Sequence, residues 1–585
     1  MPEQQHFAAR APLTFAEFYD NIIYNAILGD CRYMETTKVK SPLKKRAVLF
    51  ESICSRIICV MMIAVSGFLA LVSLLHTTGM EIVREGQGVD SIVYRIKEKI
   101  ESVVYYNDNL ILNLLLLVLA FGICFVILPR LKKIPMFYEL LFIAVWTVAL
   151  GSVWVVCSQV APTEDSNTLA TAAAEFANNN FSALSSKPYF HQYSFQLGYV
   201  FFTELIIRLH NLFAPTTNLL YLQFLNVVFL ALTYVGLLLI NHRLFKDKCV
   251  VDMTVLIFAL SVQPIISSVF IYGIIPGLMF AVWAIYFEIV YLQKNSIPCA
   301  AVSAVLIAAA VMIKSNNLIV LIAMAGVAFV KLFTRKRLVF DIAYILVAAV
   351  LCISISPAVK MMYESRSGQD LGDSVPYSSW IAMGLNESDL APGWYSPQYT
   401  IGNFDACGKD AKKAGEQSMA QIGERVGYFA KNPQYANDFF YHKAVSQWKE
   451  TSFQSIWNNN VRGQYGEKTF IAKWVCGDGE KPVKRYMDIF TQFIYFAAFF
   501  GLLCIIRQKD VSQLILPITV LGGFMYHMLS EGKSQYILPY YILLTAFAAY
   551  GVAAAYRLYE DKCKNVKIAA RLFGLQNGVN AEDGQ

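Results

Sequence analysis

The stretch Phe137-Tyr-Glu-Leu-Leu-Phe-Ile-Ala-Val-Trp-Thr-Val-Ala-Leu-Gly-Ser-Val-Trp-Val-Val156 decides the fold. It closes on Cys157 and is followed within a few residues by Pro162-Thr163-Glu164-Asp165. A run of this kind meets the roughly 18–20 apolar residues needed to cross a bilayer. Similar runs recur along a chain of 585 residues that is 56% hydrophobic and 16% charged. In lipid every backbone polar group must be bonded internally, so spans are helices or closed barrels. Barrel strands alternate apolar and polar positions, and these runs do not. The chain therefore reads as an all-α polytopic membrane protein.

About twelve spans are expected from hydropathy. They are Ile57–Leu75, Asn109–Leu128, Phe137–Val156, Asn218–Ile240, Val251–Ile271, Ile275–Leu292, Ile297–Ile313, Leu318–Phe333, Leu338–Pro357, Asp488–Ile506, Val511–Leu529 and Tyr536–Tyr556. No signal-peptide pattern precedes the first of them. Placing the tail with Lys38, Lys40, Lys44, Lys45 and Arg46 in the cytoplasm also puts nearly every other basic cluster there. These include Arg130 with Lys132 and Lys133, Arg243 with Lys246 and Lys248, Lys294, Arg335-Lys336-Arg337, Arg507 with Lys509, and Arg557 to Lys564. That is the positive-inside pattern, so the net charge of +7 is not a nucleic-acid signal. Both termini are expected in the cytoplasm. Tyr199–Phe213 is apolar but short, and it carries Glu204, Arg208 and His210. It is expected to lie on, or dip into, the outer face as an amphipathic helix, the alternative being a true span with paired charges.

The expected organisation is a cytoplasmic tail at 1–56, two spans with an outer loop at 57–136, and a membrane core at 137–357. A first outer loop at 157–217 lies within that core. A large, mainly helical extracellular region at 358–487, three last spans at 488–557 and a tail at 558–585 complete the chain. Helical patterns within the large region run over Ala411–Ala430 and Tyr435–Asn458. The twelve cysteines show no metal-ligand spacing. Cys407 and Cys476 fall in the same polar region, where a disulfide can form if that region faces outward.

Several polar residues share the outer face. Glu164 and Asp165 sit at a membrane–water boundary, where a carboxylate can accept a proton from a hydroxyl or bind a cation. The ordinary alternative is a solvated loop acid. Lys314 closes an apolar run, either as a snorkelling lysine or as a phosphate-binding cation. Lys187 is a second candidate cation, and Lys533 with Glu531 occupies the last outer turn before Tyr536. Tyr189, His191, Tyr193 and Gln196 supply aromatic and polar groups that can meet a lipid or a sugar. Together they suit an anionic lipid carrier with a polar headgroup.

These pieces resemble the GT-C membrane glycosyltransferases, specifically bacterial relatives of protein O-mannosyltransferases and of the aminoarabinose transferase of lipid A. The resemblance rests on Pro162-Thr-Glu-Asp165, on Ala170–Phe176 with Glu175, and on Tyr193-Ser-Phe-Gln196-Leu-Gly198. Tyr199–Phe213 and the late turn Glu531-Gly-Lys-Ser-Gln535-Tyr536-Ile-Leu-Pro539 complete it. It covers about Phe137–Tyr556. Ser194 stands where the family favours proline. Gln535 stands where it favours arginine, which would pass phosphate contact to Lys533.

The resemblance implies a GT-C-like bundle that takes a polyprenyl-phosphate-linked sugar from the outer leaflet. The acceptor would be a cell-envelope glycan, lipid or protein, and no nucleic acid is involved. By family spacing Asp165, rather than Glu164, would deprotonate the acceptor hydroxyl, and the anomeric carbon would invert. Lys314, Lys187 or Lys533 would stabilise the leaving phosphate. A divalent metal, Mg or Mn, held with Asp165 is the alternative source of that charge. The competing readings are a secondary transporter or flippase of a solute or lipid, and a ligase or polymerase of lipid-linked glycans. No convincing half-repeat supports a carrier.

Overall fold

The computed structural model describes residues 42–83, 100–186, 189–216, 218–508 and 510–572. In chain order, helix α1 (Pro42–Leu75) leads into a hairpin of β1 (His76–Val83) and β2 (Ile100–Asn107). There follow α2 (Leu110–Leu131), α3 (Met136–Ser158), α4 (Glu164–Ala177) and α5 (Leu197–Asn211). Next come α6 (Leu220–Phe245), α7 (Lys248–Leu260), α8 (Ile274–Lys294), α9 (Ile297–Ile313), α10 (Leu318–Leu332) and α11 (Leu338–Ser367). A polar region carries α12 (Ala411–Lys431), α13 (Pro433–Trp448) and the short α14 (Phe470–Val475). Helices α15 (Glu480–Ile505), α16 (Ile515–Leu529) and α17 (Ser534–Leu572) close the chain.

Among the described residues ten helices are long and apolar enough to cross a membrane: α1, α2, α3, α6, α8, α10, α11, α15, α16 and α17. The protein is an all-α multi-pass membrane protein. Helix α17 is buried along nearly all of its apolar length, packed by α15, α7 and α16. Helices α2 and α11 lie at the periphery and turn Leu115, Val118, Val339 and Ile353 outward, where lipid belongs.

The two remaining expected spans are shorter. Helix α9 has the expected bounds and 17 residues. The span expected at Val251–Ile271 is not one helix. Helix α7 stops at Leu260, and after Ser261 a new five-residue helix, Gln263–Ser267, starts with Pro264 in its first turn. Proline lacks the N–H that would continue the α7 ladder. The chain then turns back through Gly273, at φ 80°, into α8. The expected interfacial segment Tyr199–Phe213 forms the 15-residue α5, and its Glu204 is ion-paired to Arg208 and Arg366.

Local sequence explains several helix ends. The Asp410 carboxylate accepts from the N–H groups of Lys412 and Lys413 and starts α12, while Pro433 opens α13. The outer loop expected between the first two spans is a hairpin, with register from His76 opposite Asn107 to Val83 opposite Ile100. It docks on the polar region: the Val103 N–H donates to the Leu390 carbonyl at 2.9 Å. Arg485 on α15 bonds Asp488 at 2.8 Å, Asp108 at 3.3 Å and Asn113 on α2 at 2.6 Å. The first two spans thus carry a hairpin that braces the polar region.

The disulfide considered for Cys407 and Cys476 is not formed; both are free. Cys407 ends the short helix Ile401–Ala406 and donates to Gln417 Oε1 at 3.1 Å. Cys476 ends α14 and packs against the membrane core instead. The two lie in separate packing clusters.

Candidate functional site

The loop from α3 to α4 is held by the polar region. The Ala161 N–H donates to Gly463 O at 2.7 Å, and the Tyr465 N–H to Gln159 O at 2.8 Å. Thr163 and Ser166 exchange bonds as a capping box and start α4 at the acidic pair. The two acids then part. Glu164 sits at φ 51°, in the left-handed region, and its exposed carboxylate accepts from Arg462 Nη1 at 3.1 Å. Asp165 is exposed too, but it faces inward across the loop and accepts from the Tyr272 hydroxyl at 3.1 Å.

Tyr272 comes from the re-entrant turn after Gln263–Ser267. Gln196 Nε2 donates to the same hydroxyl at 3.0 Å. Burial raises the Tyr272 hydroxyl well above its ordinary pKa, and the nearby Tyr536 and Asp165 add to this, so it remains a donor. The other face of the ring carries Lys314, whose ammonium stands 3.9 Å from the ring centre and 5.5 Å from that of Tyr536. Lys314 lies between α9 and the turn Ser315–Asn317. Its position depends on Gly198: a Cβ there would stand 2.0 Å from the Met312 carbonyl oxygen. The Gln-Leu-Gly string thus supplies both a hydroxyl donor and the close approach of α5 to the end of α9.

The last turn closes the site from the other side. Glu531 is buried, and burial pushes its carboxyl up to about 7 against the opposing pull of Lys533, Lys314 and Lys443. Lys314 is drawn down to about 8 by burial, with Glu531 and Asp165 opposing. Lys533 stands 5.9 Å from the Tyr536 ring centre. Beneath this turn Lys443 of α13 is fully buried and donates to the carbonyl oxygens of Gly384 and Ser530. Burial draws it down to about 7. It bolts the polar region to the turn that carries Glu531. Tyr193 and Tyr395 meet through their hydroxyls beside Asp165 and Glu531, and the Tyr189 hydroxyl lies within the field of Asp165.

A narrow groove between α8, α10 and α17 is lined by Lys314, Asn316 and Tyr536 at its head and by Ile274, Leu278, Val320 and Leu543 below. Its head is polar and its floor apolar.

Asp165, Lys314, Glu531, Lys533, Tyr536, Gln196, Tyr189 and Tyr193 are thus brought together. Two expected residues are not in the cluster. Glu164 is turned to Arg462, and the ring nitrogens of His191 each lie 3.0 Å from a backbone carbonyl, of Leu184 and Leu371, so the ring braces its own loop. Lys187 lies outside the described residues. Sequence reading missed Tyr272, Tyr395, Lys443 and Arg462. Tyr272-Gly273 at the end of an apolar run was the only signal for the first; the others sit in unremarkable polar sequence.

Among the described residues no group of three or more His, Cys, Asp or Glu side chains could hold a metal ion. Asp165 and Glu531 share their site with Lys314, Lys533 and Lys443. Lys314, Lys533 and Lys443 thus supply positive charge beside the two carboxylates.

No family model matches the chain, and no curated protein matches it. Among solved structures it is similar to the archaeal oligosaccharyltransferase AglB from Archaeoglobus fulgidus in complex with an inhibitory peptide and a dolichol-phosphate. Identity is 14% and the TM-score 0.39, covering 77% of this chain and 53% of that one. The apo form of the Archaeoglobus fulgidus oligosaccharyltransferase gives 13% and 0.38 over the same shares. Its complex with Zn and sulfate gives 12% and 0.29, covering 67% of this chain and 53% of that one. The chain spans about half the length of these structures, and the likeness is distant.

Proposed function

We propose that the protein is a GT-C type glycosyltransferase that moves a sugar from a polyprenyl-phosphate donor to an acceptor hydroxyl at the outer face of the membrane, with inversion. One observation carries this reading. A single ring, Tyr272, holds an exposed carboxylate on its hydroxyl and a half-buried ammonium on its face, at the head of an apolar groove between membrane helices. The groove suits a prenyl chain, and Lys314 meets the phosphate at its head. Asp165 is placed to take the proton of an acceptor hydroxyl as that oxygen attacks the anomeric carbon. The sugar–phosphate bond breaks on the opposite side, and the lipid phosphate leaves as an anion stabilised by Lys314 and Lys533. A phosphate departs without a strong general acid, so one carboxylate and a cationic end suffice. Tyr272 keeps the two apart, which prevents them from neutralising each other as an ion pair.

The acceptor would enter from the polar region, past Tyr193 and Tyr395. The motif order found in sequence supports the same assignment. Purified protein in lipid, given a polyprenyl-phosphate-linked labelled sugar and candidate cell-envelope acceptors, tests it. Labelled acceptor should appear with the wild type and not with Asp165→Asn. Uptake of the donor into vesicles without any bond cleavage would replace this reading with a carrier.

A further inference from the structure

The short helix α14 has a face that no other described residue covers. Phe470 is 82% exposed, Ile471 50% and Trp474 45%, whereas Ala472 on the opposite side is buried. At 100° per residue the three exposed positions fall within one sector of the helix. Lys473 lies off that sector and pairs with Glu467 at 3.5 Å.

The position of this face identifies what it meets. The helix starts where a membrane span stops: the Thr469 N–H donates to the Cys157 carbonyl in the last turn of α3, at 3.0 Å. Val153 and Val156, on the outward side of that same turn, are also exposed. Helix α14 thus packs at the end of α3, at the level where that span stops and where α3 itself exposes apolar side chains. Phenylalanine, isoleucine and tryptophan with flanking lysines are the composition of the membrane–water interface. The indole is held in place by Gly479, where a Cβ would stand 2.4 Å from its ring.

We propose that α14 is a lipid anchor, with Phe470, Ile471 and Trp474 seated in the interfacial zone of the bilayer leaflet on the side of the site. The anchor has a direct connection to the acid-bearing loop. The residues just before it, Arg462 to Tyr465, supply the backbone bonds to Gln159 and Ala161 and the side-chain bonds to Thr163 and Glu164. The bilayer thereby sets the height of the loop that carries Asp165. This holds whether or not the protein transfers sugar.

The test is fluorescence of the full chain in phosphatidylcholine nanodiscs. The signal of Trp474 is read as wild type minus Trp474→Phe, and a second reporter is Phe470→Trp at an exposed position. With lipid brominated near the top of the acyl chain both signals should fall about two-fold, as expected for an interfacial indole, while aqueous iodide leaves them nearly unchanged. Signals quenched by iodide and untouched by brominated lipid would overturn the anchor. So would signals that respond to neither quencher, since the face would then be covered by protein, such as a second copy of the chain.

Discussion

The two ends of the helix bundle treat charge in opposite ways. At the end away from the site, several charged groups are joined to each other. Lys248 binds Glu139 at 2.7 Å and also Asp252, Arg335 binds Asp341 at 2.8 Å, and Lys331 bridges Glu51 at 2.6 Å and Asp510 at 2.8 Å. At the site end Lys314 lies against tyrosine rings, Lys443 against backbone carbonyls, and Asp165 against a neutral hydroxyl. Ion pairs do occur at that end, as in Arg366 with Glu204 and Arg462 with Glu164, but they tie helices and loops of the frame. Paired charges stabilise a structure because each satisfies the other. Charges held by neutral groups remain available to a ligand.

This contrast can be broken by substitution. Asp165→Asn should lower transfer by roughly 10²–10⁴ with the melting temperature retained, since it removes a general base and leaves the Tyr272 bond in place. Equal turnover in the variant would falsify the assignment of the base. Arg335→Met should do the reverse. It leaves Asp341 buried without its cation, which costs about 3–5 kcal/mol of stability, while turnover per folded molecule stays unchanged. Thermal unfolding in detergent, compared with the specific activity of the surviving fraction, separates the two. Lys314→Met should raise the donor KM by roughly 10–100-fold, the worth of a charge-assisted contact at about 1.5–3 kcal/mol, with a smaller change in kcat. A donor KM that does not move would take the phosphate away from Lys314.

Titration gives a finer test. Lys314 is drawn down to about 8, so its ammonium is present below that pH and lost above it. kcat/KM for the donor should therefore fall as pH rises through about 8, and this alkaline limb should vanish in Lys314→Arg. The smallest effect is expected at Glu164→Gln. Its side chain is 81% exposed, and its pair with Arg462 is worth about 0.2–1 kcal/mol. A large loss of transfer there would move catalysis to Glu164.

Much of the frame was readable from the chain because membrane spans announce themselves by length and apolarity. Helix α9 and the long spans follow from that signal. The break at Ser261-Val-Gln-Pro264 was not read, because one proline in an apolar run is compatible with a kinked span as well as with a re-entrant turn. The site was half legible. Asp165, Lys314 and Glu531 stand at span ends, where charge is conspicuous. Tyr272, Lys443 and Arg462 act through contacts with residues distant in sequence, such as Asp165, Ser530 and Glu164.

Sequence by itself determined that this protein crosses the membrane several times, where most of the long apolar helices lie, and which polar groups stand at their ends. Those are consequences of local composition, since a bilayer selects for hydrophobic length one segment at a time. Only the tertiary structure showed that Asp165 and Glu164 meet different partners. Two adjacent residues share the same local sequence. They differ because α4 begins with a left-handed residue that turns Glu164 out to Arg462 and leaves Asp165 to face Tyr272.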